Sequence, residues 1–296
     1  MDAILNINKS AGKTSYGVVA MVKRLTGEKR VGHAGTLDPL ATGVLPVCLG
    51  QATRLTEYLM DTTKTYYAEI ELGVTTDTYD RGGKITGRRD ASTVTLEQLE
   101  RALDSFRGMI TQEPPIYSAV KYRGTPSYKL ARAGIDVIRK SRTAYIYHLE
   151  LKQWQSPLVS IEVECGKGTY IRSLAHDLGK MLGCGASLRN LVRLKYGIFD
   201  INEAVSLEQL EEACSKGYWE SLLYPMDSVL SRWVAVIVGE EKTRLIRNGL
   251  PVILNEEALI HNDSERCRAY TCDGRLLGVL RIDTEKKQWK PEKVFV

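Results

Sequence analysis

Two runs of alternating residues constrain this chain most: Lys64-Thr65-Tyr66-Tyr67-Ala68-Glu69-Ile70-Glu71-Leu72-Gly73 and Val159-Ser160-Ile161-Glu162-Val163-Glu164-Cys165. A period of two with apolar residues on one parity is a β-strand that buries one face. In the first run Ala68, Ile70 and Leu72 point to the core. Tyr66 shares their parity, so its ring points inward or into a cleft at the strand's end. A core tyrosine with a satisfied hydroxyl accounts for the same placement. Around these strands the pattern predicts helices. Thr95-Leu96-Glu97-Gln98 and Ser206-Leu207-Glu208-Gln209 are capping boxes, opening helices that Gly108 and Gly217 close. Thr14 or Ser15 caps a third, with Val18, Val22 and Leu25 on one face and Gly27 behind it. Gly166-Lys167-Gly168 turns the second strand into a helix over 170–182, with Ile171, Leu174, Leu178 and Leu182 as its apolar stripe. Short strands are expected over 3–8 and 44–49.

From about residue 229 the pattern changes. Segments 233–238, 252–254, 258–260, 268–271 and 276–282 read as short strands, with Asp273-Gly274 as a hairpin turn. Closely spaced strands after a mixed region predict a separate small β-domain, so the expected boundaries are 1–228 and 229–296.

Composition narrows the function. No apolar run approaches the ~20 residues of a membrane span, and the first ten residues lack a basic region followed by an apolar core. Cytoplasm is the expected place. The six cysteines contain no Cys-x-x-Cys pair and the four histidines are scattered, so neither offers zinc-ligand spacing. A glycine-rich phosphate loop is missing too. Free thiols in a reducing compartment are expected, and the chemistry falls to side chains alone. The net charge is a modest +5, yet Lys121, Arg123, Lys129, Arg132, Arg139, Lys140 and Arg142 stand against the single acid Asp136 within residues 115–143. Tyr117, Tyr122 and Tyr128 are interleaved with them. Bases alternating with aromatic rings suit a partner with phosphates and stackable rings, a nucleic acid. A solvated basic face is the alternative.

One carboxylate stands out. Gly32-His33-Ala34-Gly35-Thr36-Leu37-Asp38-Pro39-Leu40-Ala41-Thr42-Gly43-Val44-Leu45 puts Asp38 between two leucines on a loop constrained by glycines and a proline. A simple Asp-Pro turn would use the same residues. Arg172 falls in the first turn of its helix, where the dipole disfavours a cation. Either a carboxylate across a cleft, or solvent or a phosphate at the helix end, compensates. Asp77, Asp80 and Arg81 lie on a turn-rich loop that lacks the ligand spacing of a calcium site.

Taken in order, these motifs resemble the bacterial TruB family of tRNA pseudouridine-55 synthases. The stretch from Gly32 to Gly43 is similar to the family's catalytic-aspartate motif. The likeness continues through the Tyr66 strand, Thr76-Asp77-Thr78, Pro115-Ile116-Tyr117-Ser118-Ala119-Val120-Lys121, Gly168-Thr169-Tyr170-Ile171-Arg172, and Cys184-Gly185-Ala186 as far as Leu191 and Arg193. The tail from Val229 resembles a PUA domain. One departure is visible in Lys9-Ser10-Ala11-Gly12-Lys13-Thr14-Ser15, where Ser10 replaces the family's usual proline and loosens a loop beside the active site.

The resemblance implies isomerisation of uridine 55 in the tRNA T-loop, with no metal and no organic cofactor. Asp38 is then the catalytic carboxylate. Tyr66 stacks on the target base and aids its final deprotonation, and Arg172 pairs with Asp38 and holds it ionised by lowering its pKa. His33 inserts where the flipped nucleotide had been, Leu191 lines the pocket wall, and Lys9 and Tyr170 contact RNA. Lys121, Arg123, Lys129 and Arg132 belong to a thumb over 115–143 that grips the T-arm, while the last domain grips the acceptor end. The implied fold is α+β: a central mixed, largely antiparallel sheet flanked by helices, then a small β-barrel-like PUA domain. A monomer without obligate protein partner or membrane is expected. Two rivals stand beside this. A base-releasing glycosidase needs a second carboxylate to activate water, and a non-catalytic tRNA-binding or folding protein needs none.

Overall fold

The two alternating runs form neighbouring strands of one mixed sheet. Lys64–Leu72 and Leu158–Cys165 pair antiparallel, with Tyr66 opposite Val163. Beyond Leu158–Cys165 come Arg142–Gln155 and then Gly108–Gln112. On the other side of Lys64–Leu72 come Ala186–Tyr196, Thr42–Leu49 and Ala3–Lys9. Of these pairings, the one between Ala186–Tyr196 and Thr42–Leu49 is parallel and the rest are antiparallel. The mixed, largely antiparallel sheet is thus present. The strand Arg142–Gln155 has no clean alternation in sequence, because register shifts at Ile146/His148 and Leu151/Gln153 switch its buried parity.

This computed structural model describes residues 1–117, 121–122, 125–126, 140–254 and 265–295. The chain folds as two units, residues 4–223 and residues 224–296 with 1–3. In the larger unit the helix Ser15–Thr26 is capped by the Thr14 hydroxyl, which accepts from the Gly17 amide, and is closed by Gly27 at φ 71°. Both capping boxes form, at Thr95/Gln98 and Ser206/Gln209. The first of these helices stops at Asp104 rather than at Gly108. Phe106 still reaches the core through the turn that follows. The helix Ile171–Met181 buries Leu174 and Leu178 completely, each worth roughly 1.5–3 kcal/mol. Gly179 lets it press against the sheet: a Cβ there would lie 2.0 Å from the Ala186 amide nitrogen. This contact sets the height at which the helix presents its first turn, and hence Arg172, to the centre of the sheet.

The smaller unit has a four-stranded sheet. Val234–Val238 runs parallel to Arg266–Thr271, which pairs antiparallel with Leu276–Asp283, and that in turn with Gln288–Val294. Val252 bridges to Trp289, and Val238, Ile246, Cys267, Ala269, Leu280 and Trp289 fill the core. The helix Glu240–Arg247 and the last strand were not expected from the sequence. The helix had a signal, with Glu240 and Glu241 in its first turn and Arg244 and Arg247 in its last. The strand expected over 258–260 lies outside the described residues. All six cysteines are free thiols. Among the described residues no helix is long and apolar enough to cross a membrane.

Candidate active site

Asp38 sits on the connection between Val31–His33 and Thr42–Leu49, which pair antiparallel with His33 opposite Val47. This loop is tied down along its length. The Ser15 hydroxyl accepts from the Leu37 amide at 2.9 Å and donates to the Leu37 carbonyl at 3.0 Å. The Pro39 carbonyl accepts from the Gly12 amide at 2.8 Å, so the segment carrying Ser10 is itself anchored to the Asp38 loop. Gly35 and Gly43 are required. Both have positive φ, and a Cβ would meet the Tyr196 ring at 2.7 Å from Gly35 and the Arg193 carbonyl oxygen at 2.3 Å from Gly43.

Arg172 reaches the carboxylate from the opposite wall. Its Nε lies 3.0 Å from Asp38 Oδ2 and its Nη2 3.3 Å from Oδ1, a two-pronged contact. Nη2 also donates to the Tyr117 carbonyl at 3.0 Å, and Nη1 faces Asp80 Oδ2 at 3.5 Å. The cation that sits badly at a helix N-terminus is therefore neutralised by two carboxylates, of which the sequence disclosed one. In the sequence Asp80 reads only as part of a turn-rich acidic loop that lacks calcium-ligand spacing. Its role depends on Thr76–Gly83 folding back onto the strand that carries Leu188, a long-range contact with no local signature.

Burial of Asp38 pushes its carboxyl above the ordinary carboxylate range. Arg172 pulls the other way, Asp80 adds to the rise, and Lys9 offsets part of it. The effect of Arg172 has the sign the sequence reading expects, and desolvation by the surrounding protein outweighs it. The side chain still shows 41% of its surface to the cavity, against 16% for Asp80.

A cavity of about 300 Å³ brings together Asp38, Tyr66, Arg172, Leu191 and Tyr170, with Arg193 behind them. Tyr66 has the inward parity predicted, and burial raises its hydroxyl pKa while Arg193, hydrogen-bonded to it, lowers it. Tyr170 is the residue before the helix and exchanges two hydrogen bonds with the Gln112 side chain. His33 stands at the loop's entrance, half-buried, its ring nitrogen 3.3 Å from the Thr36 hydroxyl. Lys9 requires a correction. It is fully buried, and its ammonium donates to the carbonyls of Ser10, Lys13 and Pro39 at 3.0, 2.8 and 3.3 Å. It holds the Asp38 loop from beneath rather than touching RNA, and burial lowers its pKa to about 8. The Lys121 side chain and all of Arg123, Lys129 and Arg132 lie outside the described residues.

Arg193 is the contributor that sequence reasoning undervalued. It is buried, and it donates to the Val44 carbonyl at 2.7 Å and the Gly35 carbonyl at 3.0 Å, stitching both ends of the Asp38 loop together. A signal existed: Arg193 shares parity with the buried Leu191 on its strand, an inward position where a basic residue needs a reason. Lys64 and Arg193 both lie 4.7 Å from the centre of the Tyr196 ring, so two buried cations rest on an aromatic rather than on a carboxylate. A two-pronged carboxylate in a cavity walled by a tyrosine and a leucine suits a flat polar ring attached to a centre that develops positive charge.

The fold and this site define an enzyme of the pseudouridine-synthase class, and the comparisons agree. A solved structure described as "Crystal Structure of a Cbf5-Nop10-Gar1 Complex" superimposes with a TM-score of 0.76 at 26% identity, covering 99% of this chain and 85% of that one. Another, "Structure of H/ACA RNP bound to a substrate RNA containing 2'-deoxyuridine", shares the fold with a TM-score of 0.73 at 22% identity, covering 99% and 85%. Residues 23–171 match the TruB family pseudouridylate synthase (N terminal domain), and residues 172–231 the tRNA pseudouridylate synthase B C-terminal domain. The tRNA pseudouridine synthase B of Dehalococcoides mccartyi (strain ATCC BAA-2100) is 47% identical over 296 residues, covering 100% of this chain and 97% of the relative. That of Clostridium acetobutylicum is 42% identical over 287 residues, covering 96% and 97%. The chain belongs to the TruB family of pseudouridylate synthases.

Proposed function

We propose that this chain converts uridine 55 in the T-loop of tRNA to pseudouridine, with Asp38 as the catalytic carboxylate. The observation that carries the assignment is the two-pronged Asp38–Arg172 contact, made on the wall of a cavity that Tyr66 and Leu191 close. The names of its relatives support tRNA as the substrate. A base in a folded loop must first be flipped out, at a cost of a few kcal/mol; His33, at the loop entrance, fills the space it leaves. The N1–C1′ bond breaks with its electron pair going to the uracil. The ribose carbon becomes electron-poor, and the ionised Asp38 carboxylate stabilises or captures it. The uracil turns within the cavity, C5 joins C1′, and the C5 proton leaves to solvent. Tyr66 packs on the ring through the turn and aids that last deprotonation. The basic segment 115–143 grips the T-arm, and the smaller unit grips the acceptor end as a PUA domain. One chain, with no added metal, cofactor or protein, suffices.

The test is tritium release from a T-arm stem-loop carrying 5-tritiated uridine. Wild type is expected to release tritium, and Asp38→Asn to lose the rate by about a thousandfold or more while still binding the RNA. Equal release by both removes Asp38 from the chemistry. Appearance of free uracil in place of the isomer would make the enzyme a glycosidase.

A further inference from the structure

The Asp80 loop is held in a conformation that its own residues disfavour. Tyr79 has φ 64°, in the left-handed region where a bulky aromatic is rare. A residue stays there when its surroundings over-determine it, and such positions gather where geometry matters to function. On one side the loop joins the strand Ala186–Tyr196: the Tyr79 carbonyl accepts from the Leu188 amide and the Arg81 amide donates to the Leu188 carbonyl, both at 2.9 Å. On the other side the Tyr79 ring stacks on His176, with centroids 3.9 Å apart and planes 14° from parallel. His176 lies one turn after Arg172 on the same helix, so the two side chains share a face. Asp80, the next residue, accepts from the Thr78 hydroxyl at 2.7 Å and the Gly82 amide at 2.9 Å through Oδ1, which leaves Oδ2 for Arg172.

We propose that the Tyr79–His176 stack is a positioning device that locks the Asp80 carboxylate against Arg172 and so fixes the guanidinium that grips Asp38; it rests on Asp38 being the catalytic carboxylate. The helix carries both Arg172 and His176, so the stack indexes the loop to the same rigid body as the guanidinium. Neither ring lines the cavity that holds Asp38. Both act through Asp80, and they are positioning residues rather than catalytic ones.

The test is a double-mutant cycle on the full chain, with the single-turnover rate and the stem-loop affinity both measured. His176→Leu keeps bulk and loses the flat ring, and Tyr79→Gly takes a positive φ freely and loses its ring. Each is expected to slow tritium release roughly tenfold to a hundredfold, with RNA affinity within about twofold. His176→Phe restores the stack without a titratable group and is expected to return the rate to within about threefold of wild type. In an Asp80→Asn background His176→Leu should cost less than about threefold, because the stack then has no carboxylate to position. An equal cost in both backgrounds, or a His176→Phe as slow as His176→Leu, overturns the proposal while Asp38→Asn remains inactive. An active Asp38→Asn instead removes the assignment beneath it.

Discussion

Two loops deliver a carboxylate to Arg172, and they do so under opposite terms. Asp38 meets the guanidinium with both oxygens at 3.0 and 3.3 Å, and 41% of its side chain faces the cavity. Asp80 offers one oxygen at 3.5 Å, spends the other on Thr78 and Gly82, and shows 16%. The loop around Asp38 is fixed through its backbone, by Ser15, Lys9 and Arg193, and this leaves the carboxylate's outward face for a substrate. The loop around Asp80 is also tied through its backbone, to Leu188, but here the carboxylate itself is tied as well, to Thr78 and Gly82. A group whose lone pairs are consumed within the protein cannot also attack or stabilise a reacting centre, whereas one held from behind can. On the proposed assignment, the difference separates the reacting acid from the orienting one, and both face a single arginine.

Removing that arginine is the strongest way to break the comparison. Arg172→Met leaves two carboxylates beside each other without a cation. We expect a loss of roughly 10³-fold in single-turnover rate and a destabilisation of about 3–5 kcal/mol in urea unfolding. The acid limb of the pH–rate profile should move to higher pH, since the guanidinium lowers the pKa of Asp38. A variant with the wild-type limb would mean that Asp38 does not titrate in the rate.

Asp80→Asn sharpens the contrast with a smaller effect of opposite sign. In the proposed mechanism Asp38 acts ionised, and Asp80 raises its pKa. Neutralising Asp80 should therefore move the acid limb to lower pH, while looser placement of Arg172 costs roughly tenfold to a hundredfold in rate. If the limb moves upward, loss of Arg172's position outweighs loss of the neighbouring charge.

These carboxylates also mark where the sequence was legible. Asp38 could be found because its local signature is dense: three glycines, a proline and a leucine on each side within fourteen residues. Tyr66 could be found because strand parity is a short-range property, and Arg172 because a cation at a helix N-terminus breaks a local rule. Asp80, Arg193 and Lys9 carry as much of the site and were misread or passed over. Asp80 is positioned by Leu188, more than a hundred residues away, and Arg193 by the carbonyls of Gly35 and Val44 at the two ends of the Asp38 loop. Lys9 looks like any basic loop residue until three carbonyls are found around its ammonium. The sheet followed the same rule. Its alternating strands were readable, and Arg142–Gln155, with two register shifts, was not.

Lys9 gives the third test, on the backbone side of the comparison. Its folded-state pKa is lowered from 10.5 to about 8. Between those two values the folded chain has released a proton that the unfolded chain retains, so stability rises with pH through that window. Lys64, lowered by burial to about 8 as well, adds to the same rise. Lys9→Met should therefore remove only its own share, up to about 3 kcal/mol, in urea midpoints taken from pH 7.5 to 10.5. It should also slow the reaction at pH 7, since Pro39 loses a tie next to Asp38. An unchanged pH dependence would show that another group titrates there.

The mildest test touches the Asp80 side. Thr78 donates its hydroxyl to Asp80 Oδ1 at 2.7 Å, and Thr78→Val replaces that hydroxyl with a methyl of similar size. One hydrogen bond to a charged group is lost, a cost of about 1.5–3 kcal/mol at most, and the Gly82 amide still holds the same oxygen. If Asp80 orients Arg172 without reacting, the rate should fall only about threefold to tenfold, with the acid limb almost in place, because the carboxylate keeps its charge. A fall as deep as that of Asp80→Asn would mean that the hydroxyl, rather than the charge, sets the geometry. The two loops would then differ less than their hydrogen bonds imply, since a neutral hydroxyl would matter in each: Ser15 behind Asp38, Thr78 behind Asp80.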